Sequence, residues 1–214
     1  ATASESSSCC PSRDFELFLT GDSDNGKLTP FESDLEEEKS AEVTSSIFGE
    51  VEVGKWSLIW GSDGQYSEGT WPFSIPYHVV DSTGVSGNAT VLLKVGGSTY
   101  ESSEEIPAFY LTNTGELLVS VEVGNGQISK GDVIELTFSV RSVIFSNPGG
   151  ESGIRFYWGT AENDASLTLQ FPLVDVQLRD ASVRGNLVFL PLRLTSGFGE
   201  KIWTSSNGGL QVQN

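Results

Sequence analysis

The chain has 214 residues with 24 glycines, 8 prolines and 37% hydrophobic residues, a composition typical of an ordered, turn-rich β protein with a full core. Its net charge of −17 argues against nucleic acid and anionic membrane surfaces as partners, since both would repel it, and makes divalent cations the natural complement. No apolar run approaches the roughly 18 residues that span a bilayer, so we expect no membrane insertion.

The first residues form a polar, serine-rich stretch, ATASESSSCCPSR, which predicts a flexible arm over residues 1–13. Small residues at the start and the absence of methionine predict a cleaved secretion signal and a secreted, cell-surface protein. Cys9 and Cys10 are the only cysteines, which leaves a strained vicinal ring, free thiols or disulfides to other chains. Secretion favours the disulfides to other chains, because secreted thiols are oxidised.

An apolar strand follows the arm. Phe15, Leu17 and Leu19 alternate with polar residues, which is the period of a half-buried strand. Burying these three side chains is worth on the order of 5 kcal/mol, whether in the chain's own sandwich or in a neighbour's. The cysteines before the strand and a glycine turn after it favour a neighbour. Residues 1–20 are therefore predicted to be an arm and donor strand, and residues 21–214 a single β-sandwich domain.

The segment Gly21–Glu32 resembles the calcium loop of EF-hand and dockerin modules. Gly26, Leu28 and Glu32 hold the spacing of the turn glycine, the apolar anchor and the last carboxylate ligand. The resemblance implies Ca²⁺ bound by Asp22, Asp24, Asn25 and Glu32. This segment departs from the usual calcium loop in three ways. Asp22 and Asp24 are shifted by one position from the usual ligand positions, Gly21 stands where the first ligand should be, and a strand replaces the incoming helix. The alternative is a glycine turn that leads into a capped helix.

A helix is predicted at about 30–40. Thr29, Pro30 and Glu32 fit the N-cap, N1 and N3 positions of a capping box. The helix would continue through Leu35 and the glutamates at 36–38, whose side chains would face solvent.

Short alternating segments separated by Gly, Asn, Asp and Ser turns fill the rest of the chain. The predicted strands are 47–53, 55–61, 72–80, 88–95, 107–111, 116–123, 132–145, 153–158, 165–171, 173–179, 186–194 and 209–213. The segments 132–145 and 153–158, with Asn147-Pro148-Gly149-Gly150 between them, predict an antiparallel hairpin. Together these segments predict an all-β fold, an antiparallel β-sandwich or jelly roll with one short N-terminal helix.

Catalytic chemistry has little support in the sequence, and we predict that the protein is not an enzyme. His78 is the only histidine, so it lacks a second histidine for a zinc site and lies in strand-like sequence without a nucleophile motif. The glutamates at 36–38 and 104–105 fall in the predicted helix and a turn, which does not fit paired glycosidase carboxylates.

Two surface features suggest glycans. Trp60 and Trp71 flank a turn-rich segment and could stack on sugar rings, although a buried tryptophan is the commoner use. Asn88-Ala89-Thr90 is an N-glycosylation motif at the start of a predicted strand, and such motifs often stay unused.

The Ala1-Thr2-Ala3 start, the polar arm up to Arg13 and the apolar strand through Leu19 resemble subunits of archaeal surface fibres and tubes, namely TasA-like bundling pili and cannulae. In those proteins the N-terminal strand of one subunit completes the sheet of the next, and calcium assists the contacts. The resemblance implies a self-assembling homopolymer. The alternative is a secreted carbohydrate-binding, lectin-like module with glycans as partners.

Overall fold

A computed structural model describes residues 12–44, 48–61, 63–80, 85–106, 114–145, 153–172, 174–175, 192–193, 202–204 and 210–212. Most of these residues lie in strands, which confirms the predicted all-β fold. The helical content of these ranges is a single 3₁₀ turn, Glu32–Asp34. None of the helical structure described is long or apolar enough to span a bilayer.

The strands are numbered in chain order. They are β1 (Ser12–Thr20), β2 (Gly26–Thr29), β3 (Lys39–Val43), β4 (Glu50–Ile59), β5 (Gly64–Tyr66), β6 (Gly69–Val80), β7 (Val85–Val95), β8 (Ser98–Glu105), β9 (Thr114–Val123), β10 (Gly126–Ile128), β11 (Val133–Phe145), β12 (Gly153–Trp158), β13 (Ser166–Pro172), β14 (Val174–Asp175), β15 (Leu192–Arg193), β16 (Ile202–Thr204) and β17 (Leu210–Val212). The predicted strand at 107–111 and most of those at 173–179 and 186–194 lie outside the described residues, whereas β17 lies within the predicted strand 209–213.

One continuous sheet contains eleven of the described strands. Its order is β3-β12-β6-β13-β1-β2-β4-β11-β7-β8, and β9 joins it on β6. The sheet branches at β6, which pairs with β9 along one edge. On its other edge β6 pairs with β13 through Phe73 and Ser74, and with β12 through residues 77–80. The strands β13, β1 and β2 therefore connect the two halves of the sheet.

The sheet folds over so that its two halves pack face to face. Aromatic rings meet across the interior: Phe138 of β11 lies 5.3 Å from Phe73 of β6 and 5.0 Å from Phe156 of β12, measured between ring centroids. Trp56 of β4 meets Trp158 of β12 edge to face at 5.2 Å. These contacts make the fold sandwich-like, with its core between the layers.

Alternating side chains form this core. In β6, Trp71, Phe73, Ile75, Tyr77 and Val79 are all at most 5% exposed, and the residues between them are half-buried and face outward. The same alternation, predicted for 132–145, holds along β11 up to Phe138. A period-two pattern buries one face of a strand and leaves the polar side chains on the other, because every second side chain points to the same side of the sheet.

Three buried aromatic rings lie over glycines directly opposite them on the neighbouring strand. The pairs are Gly26 with Trp56, Gly126 with Tyr66, and Gly115 with Tyr77. A Cβ added to these glycines would lie 2.0, 2.2 and 2.3 Å from the nearest ring or hydroxyl atom, respectively. Each ring therefore occupies the space of the missing side chain and shields the glycine backbone.

The predicted hairpin between 132–145 and 153–158 is wrong. Both strands exist, but β11 pairs with β4 and β7, whereas β12 pairs with β3 and β6. The two strands meet across the core through Phe138 and Phe156 instead. Two strands with apolar inner faces can bury those faces by stacking as well as by pairing, and the alternation alone does not distinguish the two.

The predicted helix at 30–40 is also wrong. Thr29 ends β2, and its hydroxyl donates to Asp34 at 2.5 Å and accepts from the Phe31 amide at 3.2 Å, which closes a short turn. After the 3₁₀ turn the chain extends into β3, where Lys39 pairs with Trp158. The segment 32–38 has a single apolar residue, Leu35, so a helix there would have no apolar face to bury.

Candidate functional site

The predicted donor strand lies inside the sheet of its own chain. β1 pairs with β13 over seven register positions, among them Phe15 with Leu169 and Leu17 with Leu167. On its other edge it pairs with β2 over three positions, including Leu19 with Leu28. Leu17 and Leu19 are fully buried, and Phe15 packs against the core. The apolar face was therefore predicted correctly, and this structure places it in the chain's own sandwich.

The loop between β1 and β2 is tied to the rest of the domain. The Gly21 carbonyl accepts a 2.8 Å hydrogen bond from the Trp158 indole, and the Ser23 carbonyl accepts one of 2.7 Å from the Lys55 amide. The exposed Asp22 carboxylate lies 3.2 Å from the Lys39 ammonium. Movement of β1 relative to β2 would have to break or bend these contacts.

The four predicted calcium ligands do not converge. Asp22 faces Lys39, Asp24 and Asn25 are exposed in the loop, and Glu32 is exposed in the 3₁₀ turn. Within the described ranges, no three His, Cys, Asp or Glu side chains lie close enough together to hold a metal ion. Gly26, matched to the turn glycine of a calcium loop, is instead the buried first residue of β2. Calcium binding stays a prediction.

An open groove of about 510 Å³ lies beside this loop. Leu28, Pro30, Phe31 and Leu58 supply its apolar lining, and Asp34 stands among its polar residues. Phe31 is 42% exposed. Of the two carboxylates that line the groove, Asp34 accepts a hydrogen bond from the Thr29 hydroxyl and Glu36 is exposed, so the groove suits an apolar side chain better than it suits acid–base chemistry.

The two tryptophans considered for sugar stacking are in the core. Trp60 is 1% exposed and Trp71 is fully buried, with the Trp71 ring 5.6 Å from the ring of Tyr66. Sugar stacking needs an exposed ring face, which neither residue has in this structure. The sequence placed both beside turns, but each lies on the inner face of the sheet.

The remaining predicted sites fall at the surface or outside the described residues. Cys9 and Cys10 lie outside them. Asn88 is exposed on β7 between Arg141 and Glu105, a position compatible with the glycosylation that stays predicted. His78 is half-buried on the outward face of β6, between Arg155 of β12 and Thr114 of β9.

The outward face of β4, β11 and β7 carries a charge cluster that the sequence analysis missed. Glu135 of β11 lies between Lys55 of β4, at 2.9 Å, and Lys94 of β7, at 2.7 Å. The hydrogen bond from Lys94, together with Lys55, holds the pKa of the Glu135 carboxyl below its usual value, although partial burial acts in the opposite direction. The residue types gave no signal of this cluster, because it depends on the register of three strands distant in sequence.

Replacing Glu135 by glutamine is expected to lower the free energy of unfolding at neutral pH by up to about 1 kcal/mol. Because the pKa of Glu135 is depressed in the folded state, its contribution is present above the usual value of 4.5 and is lost as the pH falls through the folded-state pKa. Urea unfolding at neutral pH and at about pH 3 measures this difference. Glu104→Gln, at an exposed position of β8, is the control. An equal loss for Glu135→Gln at both pH values would contradict the ion-pair explanation.

Comparison with known proteins adds information on the fold. No protein family model and no curated protein matches the chain. It is similar to a CocE/NonD family hydrolase from Staphylococcus aureus, with a TM-score of 0.50 and 10% identity over 75% of this chain and 36% of that chain. A second structure of this hydrolase gives a TM-score of 0.46 at 11% identity, over 75% of this chain and 37% of that chain. A structure of infectious bursal disease virus Gt strain gives a TM-score of 0.27 at 12% identity, over 75% of this chain and 42% of that chain.

The chain thus spans little more than a third of the length of the hydrolase. At 10% identity the likeness shows a shared fold, and the hydrolase activity does not transfer with it. The two likenesses with TM-scores under 0.5 carry no weight.

Proposed function

We propose that this protein is a secreted structural subunit, not an enzyme, that assembles with copies of itself into a surface filament or tube by exchange of β1. The observation that carries the proposal is the position of β1 between β13 and β2. Removing β1 would leave the facing edges of both neighbours without backbone partners and uncover the buried Leu167, Leu169 and Leu28. Such a slot accepts an extended apolar strand and nothing bulkier.

Exchange costs little at equilibrium because the same strand from another copy remakes every contact in the slot. The pairs Phe15 with Leu169 and Leu17 with Leu167 would form between copies with unchanged geometry. The difference between the two states is confined to the loop that joins β1 to β2, where the contacts of Gly21 and Ser23 would open. Domain swapping commonly proceeds through such a hinge. Calcium has no assigned residues in this proposal.

The experiment uses a disulfide as a reporter of where β1 lies. Asp14 of β1 is directly opposite Gln170 of β13, so Asp14→Cys with Gln170→Cys, in a full chain with Cys9→Ser and Cys10→Ser, places two thiols side by side. If β1 is exchanged, oxidation at high protein concentration links different chains and gives a ladder on a non-reducing gel. If β1 stays in its own sandwich, the bond closes within one chain and the gel shows a monomer.

A control separates strand exchange from random oxidation. Thr70 of β6 and Glu122 of β9 are also directly opposite each other, on strands that are not exchanged in the proposal. Thr70→Cys with Glu122→Cys should give only the monomer band. A monomer band for the β1 pair at every concentration, or an equal ladder from both pairs, would refute strand exchange.

A further inference from the structure

The strands β2 and β4 separate after two paired positions. Gly26 lies opposite Trp56 and Lys27 opposite Ser57, in parallel register. A continued register would place Leu28 opposite Leu58. Both leucines instead line the open groove of about 510 Å³ beside the β1–β2 loop, so the groove occupies the gap between the separating strands.

The separation leaves two strand edges without a strand partner in the part of the chain that the structure describes. β2 pairs with β1 on its other edge, and β4 pairs with β11 on its other edge. On the sides that face the groove, residues 28–29 of β2 and 58–59 of β4 pair with no described strand. Unpaired strand edges hydrogen-bond extended peptides, which is the basis of recognition by β-strand addition.

The groove also has room for an apolar side chain. Pro30 and Phe31 line it together with Leu28 and Leu58, and its volume lies within the range of ligand-binding clefts. Phe31 is 42% exposed, and Ile59, which follows Leu58, is 70% exposed. An extended peptide can bury one large apolar side chain here and direct its neighbours away, because successive side chains of a strand alternate in direction.

The lining of the groove has more negative than positive charge. It contains two carboxylates and one ammonium group, those of Asp34, Glu36 and Lys27. Among the described residues, none of the three takes part in an ion pair. The Thr29 hydroxyl donates to Asp34, which orients this carboxylate and leaves its charge in place.

The surroundings of the groove strengthen this imbalance. Residues 20–39, which supply all of the lining except Leu58, contain seven carboxylates and two lysines, namely Asp22, Asp24, Glu32, Asp34, Glu36, Glu37 and Glu38 against Lys27 and Lys39. Lys39 already binds Asp22 and Glu37, and on β4 the ammonium group of Lys55 already binds Glu135. Carboxylates in excess attract a cationic partner and repel an anionic one.

We infer that this groove binds an extended, basic peptide segment of a partner protein by β-strand addition. One large apolar side chain of the peptide lies between Leu28 and Leu58, its backbone follows an unpaired strand edge, and its lysines or arginines face Asp34 and Glu36. A second copy of this chain, with a net charge of −17, is a poorer occupant. The inference goes beyond the proposed self-assembly and does not require it.

A synthetic peptide tests the groove on the full-length protein. The probe is a capped heptapeptide of threonines with leucine at its centre and a lysine two positions to either side, so that all three project from one side of an extended chain. Versions with phenylalanine or valine at the centre cover other anchor sizes. Titration followed by NMR is expected to shift the backbone amide signals of Leu28 and Leu58 and to saturate below about 1 mM peptide.

Three changes to the peptide separate its contributions. Glutamates in place of the lysines reverse its charge and should abolish binding. Alanine in place of the central leucine should weaken binding about tenfold, because the apolar side chain is no longer buried. Methylation of alternate backbone nitrogens removes the donors that a strand edge needs and should abolish binding.

Variants of the protein place the site. Asp34→Asn with Glu36→Gln removes two charges at nearly constant size, and the asparagine keeps an oxygen that accepts from Thr29. This variant should bind the basic peptide about tenfold more weakly at low salt. Glu104→Gln with Glu105→Gln, at exposed positions of β8, changes the net charge by the same amount and should bind as wild type does.

Each result supports or refutes the groove. Binding that weakens with the first pair of substitutions and is unaffected by the second supports it. The inference is refuted if no peptide of the panel saturates, if both pairs weaken binding equally, or if the methylated peptide binds unchanged. It is also refuted if the signals of Leu28 and Leu58 shift with protein concentration alone, because the occupant is then a second copy. Exchange of β1 is decided separately, by the disulfide experiment.

Discussion

Replacing Phe138 by alanine is expected to lower the free energy of unfolding by about 3–5 kcal/mol. Phe138 is fully buried in the middle of β11 and contacts rings of the opposite layer, Phe73 at 5.3 Å and Phe156 at 5.0 Å. The loss has two parts. One is the favourable transfer of the phenyl group into the core, which is lost, and the other is the cost of a cavity that cannot close easily because β11 is hydrogen-bonded on both edges.

Urea unfolding of the wild type and the variant measures this loss. Phe48→Ala is the matched control, because it makes the same chemical change at a side chain that is 90% exposed, and it should change stability by less than about 0.5 kcal/mol. A loss below about 1 kcal/mol for Phe138→Ala would mean that the layers are not packed at this point.

Replacing Gly26 by alanine is expected to cost about 3 kcal/mol, at the upper end of the range for overpacked sites. The new Cβ would lie 2.0 Å from Cδ1 of Trp56, and the indole has little room to move because Gly54 lies against its far edge and Trp158 is 5.2 Å away. Either β2 or the ring must shift, and both are held in the sheet. Thermal unfolding measures the effect.

The same variant distinguishes two roles for Gly26. If the glycine serves a calcium loop, the loss should depend on whether Ca²⁺ or a chelator is present, whereas a packing role gives the same loss in both. Gly124→Ala is the control, since a Cβ there meets nothing within 4 Å, and it should cost less than about 1 kcal/mol. A loss for Gly26→Ala as small as that of Gly124→Ala would contradict the packing role.

Long alternating strands were predictable from the sequence. The segments 72–80 and 132–145 were both predicted as strands, and both form strands whose alternate side chains are buried over residues 72–80 and 133–138. Pairing was not predictable in the same way. The partners of β11 are β4 and β7, about 80 and 50 residues earlier in the chain, and no local pattern specifies a partner at that distance.

Polar strands escaped prediction for a physical reason. β8, Ser98–Glu105, has the sequence STYESSEE, which contains one large apolar residue and reads as a turn. It is a strand because it lies at the end of the sheet order, where β7 supplies backbone hydrogen bonds and the outward face needs no apolar side chains. β2 and β3 were taken for parts of a loop and a helix, and they too owe their conformation to partners that the local sequence does not reveal.

The candidate site was predictable in part. The apolar face of β1 followed from its sequence, but the choice between its own slot and a neighbour's did not, because both bury Phe15, Leu17 and Leu19 equally. The ion pairs of Glu135 with Lys55 and Lys94 could not be predicted, since they depend on which strands are neighbours. Burial of Trp60 and Trp71 depends on the same assignment of faces.

The three glycine–aromatic pairs have a consequence for how sequences related to this one can diverge. A side chain at Gly26, Gly115 or Gly126 fits only when the ring opposite is lost or shortened, so the two positions of each pair must change together. In a fold shared at 10% identity, single positions carry almost no recognisable signal. Linked changes at these pairs would still identify which strands are neighbours and in what register, and they would trace this sheet through relatives too distant to align residue by residue.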